Sequence, residues 1–330
     1  MRILVLGGTA FLSAEIVRQA VAAGHEVTCL ARGTAARPPE GAEWLRADRS
    51  LGANAYDGAT GVWDEVIEVA RDAGQAADAL AALAEKARHW TFVSSCSVYA
   101  GHSTPGEAED AAILEPLPAG TESTPENYGQ SKSAIEQATL AAAGDKAHLC
   151  RAGLIGGPGD VSDRYGYWPA RFARDNGPVV VPDIAGHATQ VIDVRDLAGW
   201  ILAAASQGVT GILNALGDQV PFGDYLEASK TAAGYQGDVL TAPEEWLVEH
   251  GVDYWAGPDS LPLWLPPGHD GFCTRSNRAA RAAGLATRPW QDTIADTLAD
   301  ERRRGLDRRR KAGLAPATEA RLASELRRTL

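Results

Sequence analysis

Met1-Arg-Ile-Leu-Val-Leu-Gly-Gly-Thr-Ala-Phe-Leu-Ser13 opens the chain, and its residue types read as strand, turn and helix in that order. Ile3 to Leu6 is an unbroken apolar run, as expected of a central parallel strand covered on both faces. Gly7 and Gly8 permit a tight turn, and Thr9 can cap a helix from about Phe11 to Ala23. The free N–H groups at that helix start, together with its dipole, attract a phosphate. The dinucleotide-binding fingerprint wants three glycines, and Gly7, Ala10 and Ser13 stand in their places. Only the first is glycine, so the tight turn is kept while the closest backbone approach is slightly compromised.

The next segment indicates which dinucleotide. Glu26 to Ala31 is a second apolar strand, ending at Arg32-Gly-Thr. A carboxylate near such a strand end suits the ribose 2′-hydroxyl of NAD, whereas an arginine suits the 2′-phosphate of NADP. Positions 29 to 33 hold no carboxylate, and Arg37 is a second nearby cation, so NADP is favoured over NAD.

Helix and strand patterns then alternate, as an α/β, Rossmann-type doubly wound parallel sheet requires. Strands are expected at 43–47, 63–70, 89–95 and 147–151, with helices at about 75–87 and 127–142. The pattern loosens after Gly153, and six of the nine tryptophans lie beyond residue 160, so this half reads as a smaller C-terminal substrate-binding lobe. The expected division is a dinucleotide-binding domain at 1–155, to which 190–216 returns, and a lobe at 156–189 and 217–287. A basic helical tail follows at 288–330. Tyr165, Tyr167, Trp168 and Trp264 are the aromatics expected to face a substrate.

Composition narrows the class. The net charge of −12 argues against general nucleic-acid affinity. No apolar run approaches the roughly 20 residues of a membrane span, and the first apolar stretch is too short for a signal peptide. Four cysteines, Cys29, Cys96, Cys150 and Cys273, lack metal-ligand spacing, so no metal is expected. Three of them lie in or beside strands, where they read as reduced thiols of a cytoplasmic protein.

The reactive segment lies in the middle of the chain. Tyr128-Gly-Gln-Ser-Lys132 opens an expected helix, 33 residues after Ser95 at the end of Phe92-Val-Ser-Ser-Cys-Ser-Val-Tyr99. With eight tyrosines and five lysines, a Tyr-x-x-x-Lys pair arises by chance about once in eight such chains, so its placement carries the weight. Helical geometry puts Tyr128 and Lys132 on one face, and in open α/β sheets ligands bind beyond the carboxyl ends of the strands. Together these features point to hydride chemistry at an alcohol or carbonyl.

The order of the Gly-x-x-x-Phe-Leu turn, the Ser-Ser-x-Ser-Val-Tyr strand end, the Tyr-x-x-x-Lys helix and Ile155-Gly-Gly-Pro-Gly159 resembles the extended short-chain dehydrogenase/reductase family. That family includes NAD-dependent epimerases and dehydratases, and the match runs from residue 1 to about 215. Gln190 to Ala198 also resembles the family's segment closing the sheet. The resemblance implies a catalytic Ser95, Tyr128 and Lys132, the lysine also holding the nicotinamide ribose. It further implies a cofactor lined by Gly7, Thr9, Ala10, Phe11, Leu12, Arg32, Asp48 and Ala70, with Asp48 near the adenine and Arg32 near the 2′-phosphate. Cys96 and Ser97 stand where the family's sugar dehydratases carry an Asp-Glu pair, which disfavours elimination of water and places both near the substrate. Reduction or oxidation of a small or medium carbonyl or alcohol is therefore expected, with a nucleotide-sugar epimerase as the alternative.

Two segments stay outside this scheme. Residues 105–126 carry six carboxylates and no Lys or Arg, and read as a solvated loop or a lid. Residues 301–330 carry ten cations and four anions, +6 against −18 for the remainder. Such a tail reads as a solvated helix or one docked on the acidic body. It also leaves open an RNA-associated or regulatory binding protein, a role some atypical family members have. A homodimer is compatible with the chain.

Overall fold

The computed structural model describes residues 1–34 and 36–329. Its first half builds β1 (Arg2–Leu6), α1 (Phe11–Ala22), β2 (Glu26–Ala31), β3 (Glu43–Arg46), β4 (Glu65–Glu68), α2 (Ala73–Leu83), β5 (Trp90–Ser95), α3 (Tyr128–Ala143) and β6 (Ala147–Ala152). The second half adds β7 (Leu154–Gly156), α4 (Tyr167–Arg174), β8 (Val179–Pro182), β9 (Ala188–Asp193), α5 (Val194–Gln207), β10 (Gly211–Ala215), β11 (Gln219–Pro221), α6 (Phe222–Ala233), β12 (Val239–Ala242), α7 (Glu244–Glu249), α8 (Arg278–Ala282), α9 (Trp290–Arg304) and α10 (Pro316–Thr329).

Seven strands form one sheet in the order β10-β6-β5-β4-β1-β2-β3. Every pairing in it is parallel. The apolar run of β1 explains its central place, because alternate residues serve opposite faces. Ile3 and Val5 enter a core with Ile16, Val17, Leu197 and Ile201 of α1 and α5. Leu4 and Leu6 enter the other, with Ala76 and Leu80 of α2 and Ile135 of α3. Strand order reverses at β1 and β4, which is where doubly wound sheets open a ligand crevice.

The segment expected to close the sheet divides. Gln190 lies in β9, which joins β7 and β11 in a separate three-stranded sheet, and β10 is the strand that closes the main one. Strand β9 cannot join the main sheet while it is paired on both sides. Helix α5 does return, packing on α1.

The lobe has its own core, and it takes in all four of the aromatics expected at a pocket, Tyr165 among them. Tyr167, Trp168 and Trp264 are buried among Phe172, Phe222, Leu247 and Leu322. Trp168 donates to Pro262 O at 2.8 Å and Trp264 to Glu244 at 2.7 Å, so even their polar atoms are occupied. These rings are packed into the lobe core.

The basic tail is not one solvated helix. Arg304, Arg308 and Arg310 turn inward onto Asp163 and Glu301, both buried. Further on, α10 buries Leu322, Ala323 and Leu326 in the lobe core and sends Glu319 to Arg171 of α4 at 2.5 Å. The acidic loop at 105–126 is tied down as well. Glu109 accepts from Asn214 N at 2.8 Å, Leu114 N donates to Val98 O at 2.7 Å, and Glu107 pairs with the fully buried Arg275. Those tethers hold residues 107–114 against the body of the protein. All four cysteines are buried and unpaired, including Cys273, which the sequence pattern had left outside the strands. No helix among the described residues is long and apolar enough to cross a membrane.

Candidate active site

At the carboxyl end of β1 the chain turns through Gly7 (φ 135°) and Gly8 (φ 88°). A Cβ on Gly8 would lie 2.5 Å from Cys29 Sγ, so the turn presses against β2 and only glycine fits. Helix α1 is capped by Ala10 rather than Thr9. Ala10 sits at φ −137°, an extended conformation in which its methyl causes no strain. Ser13 folds its hydroxyl back onto Ala10 O at 2.8 Å, filling the place of the third glycine. The two departures from the fingerprint thus leave the turn intact. The first turn of α1 carries no acidic residue, so its N-terminus remains attractive to a phosphate. Ala10 is exposed there, Thr9 and Phe11 are half-buried, and Leu12 is buried in the core. This cradle fits a dinucleotide pyrophosphate.

At the far edge Arg32 and Asp48 approach each other, Nε to carboxylate oxygen at 4.0 Å, both partly exposed. Ser50 holds Asp48 through its N–H and its hydroxyl, and these bonds keep the carboxyl below its usual range. The next residue, Arg49, is drawn inward to a bidentate pair with the buried Glu68, which also accepts from Ala70 N at 2.8 Å. That pair fixes the end of β4 at Ala70.

Ser95 ends β5, and α3 brings Tyr128 and Lys132 to it. Gly129 makes this possible, because any Cβ there would run into the carbonyl oxygen of Ser97. Arg151 in β6 anchors the base of α3 through a buried pair with Glu136 at 2.8 Å. On the same helix Ser131 donates to Arg71 O at 2.6 Å, and Lys132 Nζ donates to Ala70 O at 2.7 Å and Val93 O at 2.8 Å. Two strand ends and one helix turn are therefore stitched at a single point.

Burial dominates the electrostatics of this point. Lys132 is shut away from water, which pulls its ammonium pKa down to about 7 against the attraction of Glu68. Its Nζ lies 5.8 Å from the centre of the Tyr128 ring. Burial raises the Tyr128 pKa, while Arg71, the Ser95 hydroxyl and Arg164 act in the opposite direction. The Ser95 hydroxyl accepts from Ser97 N and donates to Ser97 Oγ, both at 3.1 Å. Cys96 faces away, its buried thiol directed at Arg151 O and its pKa pushed up to about 12 by desolvation. Cys96 is thus removed from the substrate side, and Ser97 is kept beside Ser95.

Two groups at this point had no signal in the sequence. Arg71 follows Ala70 directly, and Arg164 reaches Tyr128 from the loop before α4. Tyr165, next to Arg164, is buried and helps line a narrow recess with Asp193, Tyr225 and Arg288. None of Ser95, Tyr128 and Lys132 borders that recess. No group of three or more His, Cys, Asp or Glu among the described residues could hold a metal.

The chain has the sheet, the turn and the crevice of a dinucleotide-dependent enzyme. It is 30% identical over 264 residues to a 2′-dehydrokanamycin reductase of Streptomyces kanamyceticus, covering 76% of this chain and 71% of that protein. It therefore belongs to the extended short-chain dehydrogenase/reductase (NAD-dependent epimerase/dehydratase) family and is an NAD(P)-dependent oxidoreductase or epimerase. No family model matches it. Among solved structures it superposes on a Burkholderia cenocepacia protein assigned as an epimerase, with a TM-score of 0.71, 21% identity and coverage of 92% and 98% of the two chains. UDP-glucose 4-epimerase of Thermus thermophilus, solved with NAD, gives a TM-score of 0.61 at 20% identity, covering 92% and 99%. These two likenesses speak for the fold.

Proposed function

We propose that this protein is an NADP-preferring carbonyl reductase acting on a small or medium ketone through Ser95, Tyr128 and Lys132. The observation that carries the reading is the meeting of these three side chains at the end of β5, beside the crevice between β1 and β4. The similarity to a reductase favours reduction over epimerisation.

Gly7, Thr9, Ala10, Phe11 and Leu12 would hold the cofactor's pyrophosphate, Arg32 and Asp48 its adenosine half, and Ala70, Tyr128 and Lys132 its nicotinamide ribose. When bound, the cofactor supplies the hydride. The protein's own part is orientation and proton transfer. Ser95 releases its bond to Ser97 and holds the substrate oxygen. Tyr128, kept protonated by burial, donates its phenolic proton to that oxygen as the alcohol forms. Arg71, Ser95 and Arg164 then stabilise the phenolate left behind. Lys132 adds a positive charge whenever its amine is protonated, a state that burial disfavours. Arg32 and Arg37, both exposed, favour the 2′-phosphate, and Arg32 would exchange Asp48 for it.

The test is Tyr128→Phe, assayed by NADPH oxidation on a panel of ketones. The fold and cofactor binding should survive while turnover falls by about 10²–10⁴, the usual contribution of a positioned proton donor. Wild-type turnover in the variant would remove Tyr128 from the mechanism.

A further inference from the structure

Arg164 is a half-buried guanidinium that makes no direct ion pair among the described residues, Asp160 acting on it only from a distance. Its Nε donates to Ser162 Oγ at 3.2 Å, and its Cζ lies 5.1 Å from the centre of the Trp255 ring. Its terminal nitrogens have neither a hydrogen bond nor an ion pair among the described residues. Asp160 itself accepts from Ser162 N and Oγ, at 2.7 and 2.9 Å, and makes no hydrogen bond to the guanidinium. Arg164 and Arg71 repel each other while both act on the Tyr128 hydroxyl. Arg71 is exposed to water, whereas Arg164 is half-buried, so of the two it is Arg164 whose charge an arriving anion would relieve most.

Trp255 gives a second, independent sign. It stands at φ 64°, and Ala256 N donates to Tyr254 O at 2.7 Å across it. That is a classic-sense γ-turn, a rare and strained conformation for any residue with a side chain. Such strain persists where surrounding structure enforces it, and it concentrates at ligand-binding positions. The enforced turn holds a partly exposed indole under Arg164 and edge-on to Phe272, at 5.4 Å between ring centres. An apolar face is thus presented together with the guanidinium that acts on Tyr128.

We propose that Arg164 and Trp255 form the substrate-recognition wall of this site, and that they select a cyclic ketone bearing an acidic group. Trp255 would cover the ring, and Arg164 would receive the carboxylate or other oxyanion. This choice rests on the reductase reading given above. The two guanidiniums acting on Tyr128 would also repel a substrate bearing a protonated amine.

Three probes of matched shape decide it: cyclohexanone, 4-oxocyclohexane-1-carboxylate and 4-aminocyclohexanone. Each is titrated calorimetrically into the protein saturated with NADP⁺, so that binding is read without turnover. The carboxylate should bind roughly tenfold or more tightly than cyclohexanone, the usual worth of one charge-assisted contact, and the amine should bind most weakly. Arg164→Gln should bring the carboxylate to within about twofold of cyclohexanone without changing the affinity for NADP⁺. A carboxylate that binds no better than cyclohexanone in the wild type overturns the proposal, with no variant required. A fall in NADP⁺ affinity in Arg164→Gln, with the carboxylate preference retained, also overturns it and assigns the guanidinium to the cofactor's phosphates. Failure of the reductase reading would look different, as ketones bound but never reduced.

Discussion

Replacing Lys132 with methionine should raise the stability of the folded protein even as it removes a group proposed for catalysis. The ammonium is buried against two carbonyl oxygens and carries no paired carboxylate. Its pKa falls from 10.5 to about 7, a gap of about 3.5 pH units, and at 1.36 kcal/mol per unit its burial costs on the order of 5 kcal/mol. The two hydrogen bonds lost on substitution are worth roughly 1 kcal/mol each. The net expectation at neutral pH is a gain of about 2–3 kcal/mol, or a rise in Tm of roughly 5 °C or more. The sign with pH follows from proton counting. Between about pH 7 and 10.5 the unfolded chain holds a proton that the folded protein has released, so wild-type stability climbs across that window. The variant lacks the group, and its advantage should be full at or below pH 7 and fade toward pH 10. Scanning calorimetry of both proteins across that range, without added nucleotide, measures it. A variant that melts below wild type at pH 7, or a Tm difference that does not vary with pH, would refute the reasoning.

Arg32→Ala should reduce the affinity for NADPH by about tenfold or more and leave NADH nearly unchanged, as read by fluorescence titration. An equal loss for both cofactors would place Arg32 elsewhere. Leu322→Ala, in the middle of α10, should cost about 2–5 kcal/mol in denaturant unfolding, because it opens a cavity in the lobe core. A cost under 0.5 kcal/mol would mean that α10 is only loosely attached.

Much of the frame was legible because it is encoded locally. Four apolar residues followed by Gly7 give a buried strand and a turn without reference to the rest of the chain, and the four-residue spacing of Tyr128 and Lys132 holds on any helix. What escaped depends on distant partners. Arg164 acquires its place from Asp163, at φ 62°, which is held by Arg304 and Arg308 some 145 positions later. Composition counted tryptophans but could not sort them. Trp168 and Trp264 fill a core, while Trp255, flanked by nothing that marks it, is the one held at a strained turn beside Arg164. The pairing of Arg32 with Asp48 likewise spans two strands, so neither strand end alone reveals it.

The clamp of Asp163 and Glu301 on Arg304, Arg308 and Arg310 also sets an order of assembly. The cradle at Gly7, the strand ends and the Tyr128 helix are all made within the first half of the chain. The loop bearing Arg164 cannot be fixed until residues 301–310 exist, and α4 waits for Glu319 to neutralise Arg171. At synthesis rates of about 5–20 residues per second, the gap amounts to roughly ten to thirty seconds. During that interval a nascent chain can hold a nucleotide cradle with no finished wall opposite it. The loop bearing Arg164 is thus among the last parts of the molecule to be fixed, and the segment that fixes it lies some 140 positions further along the chain.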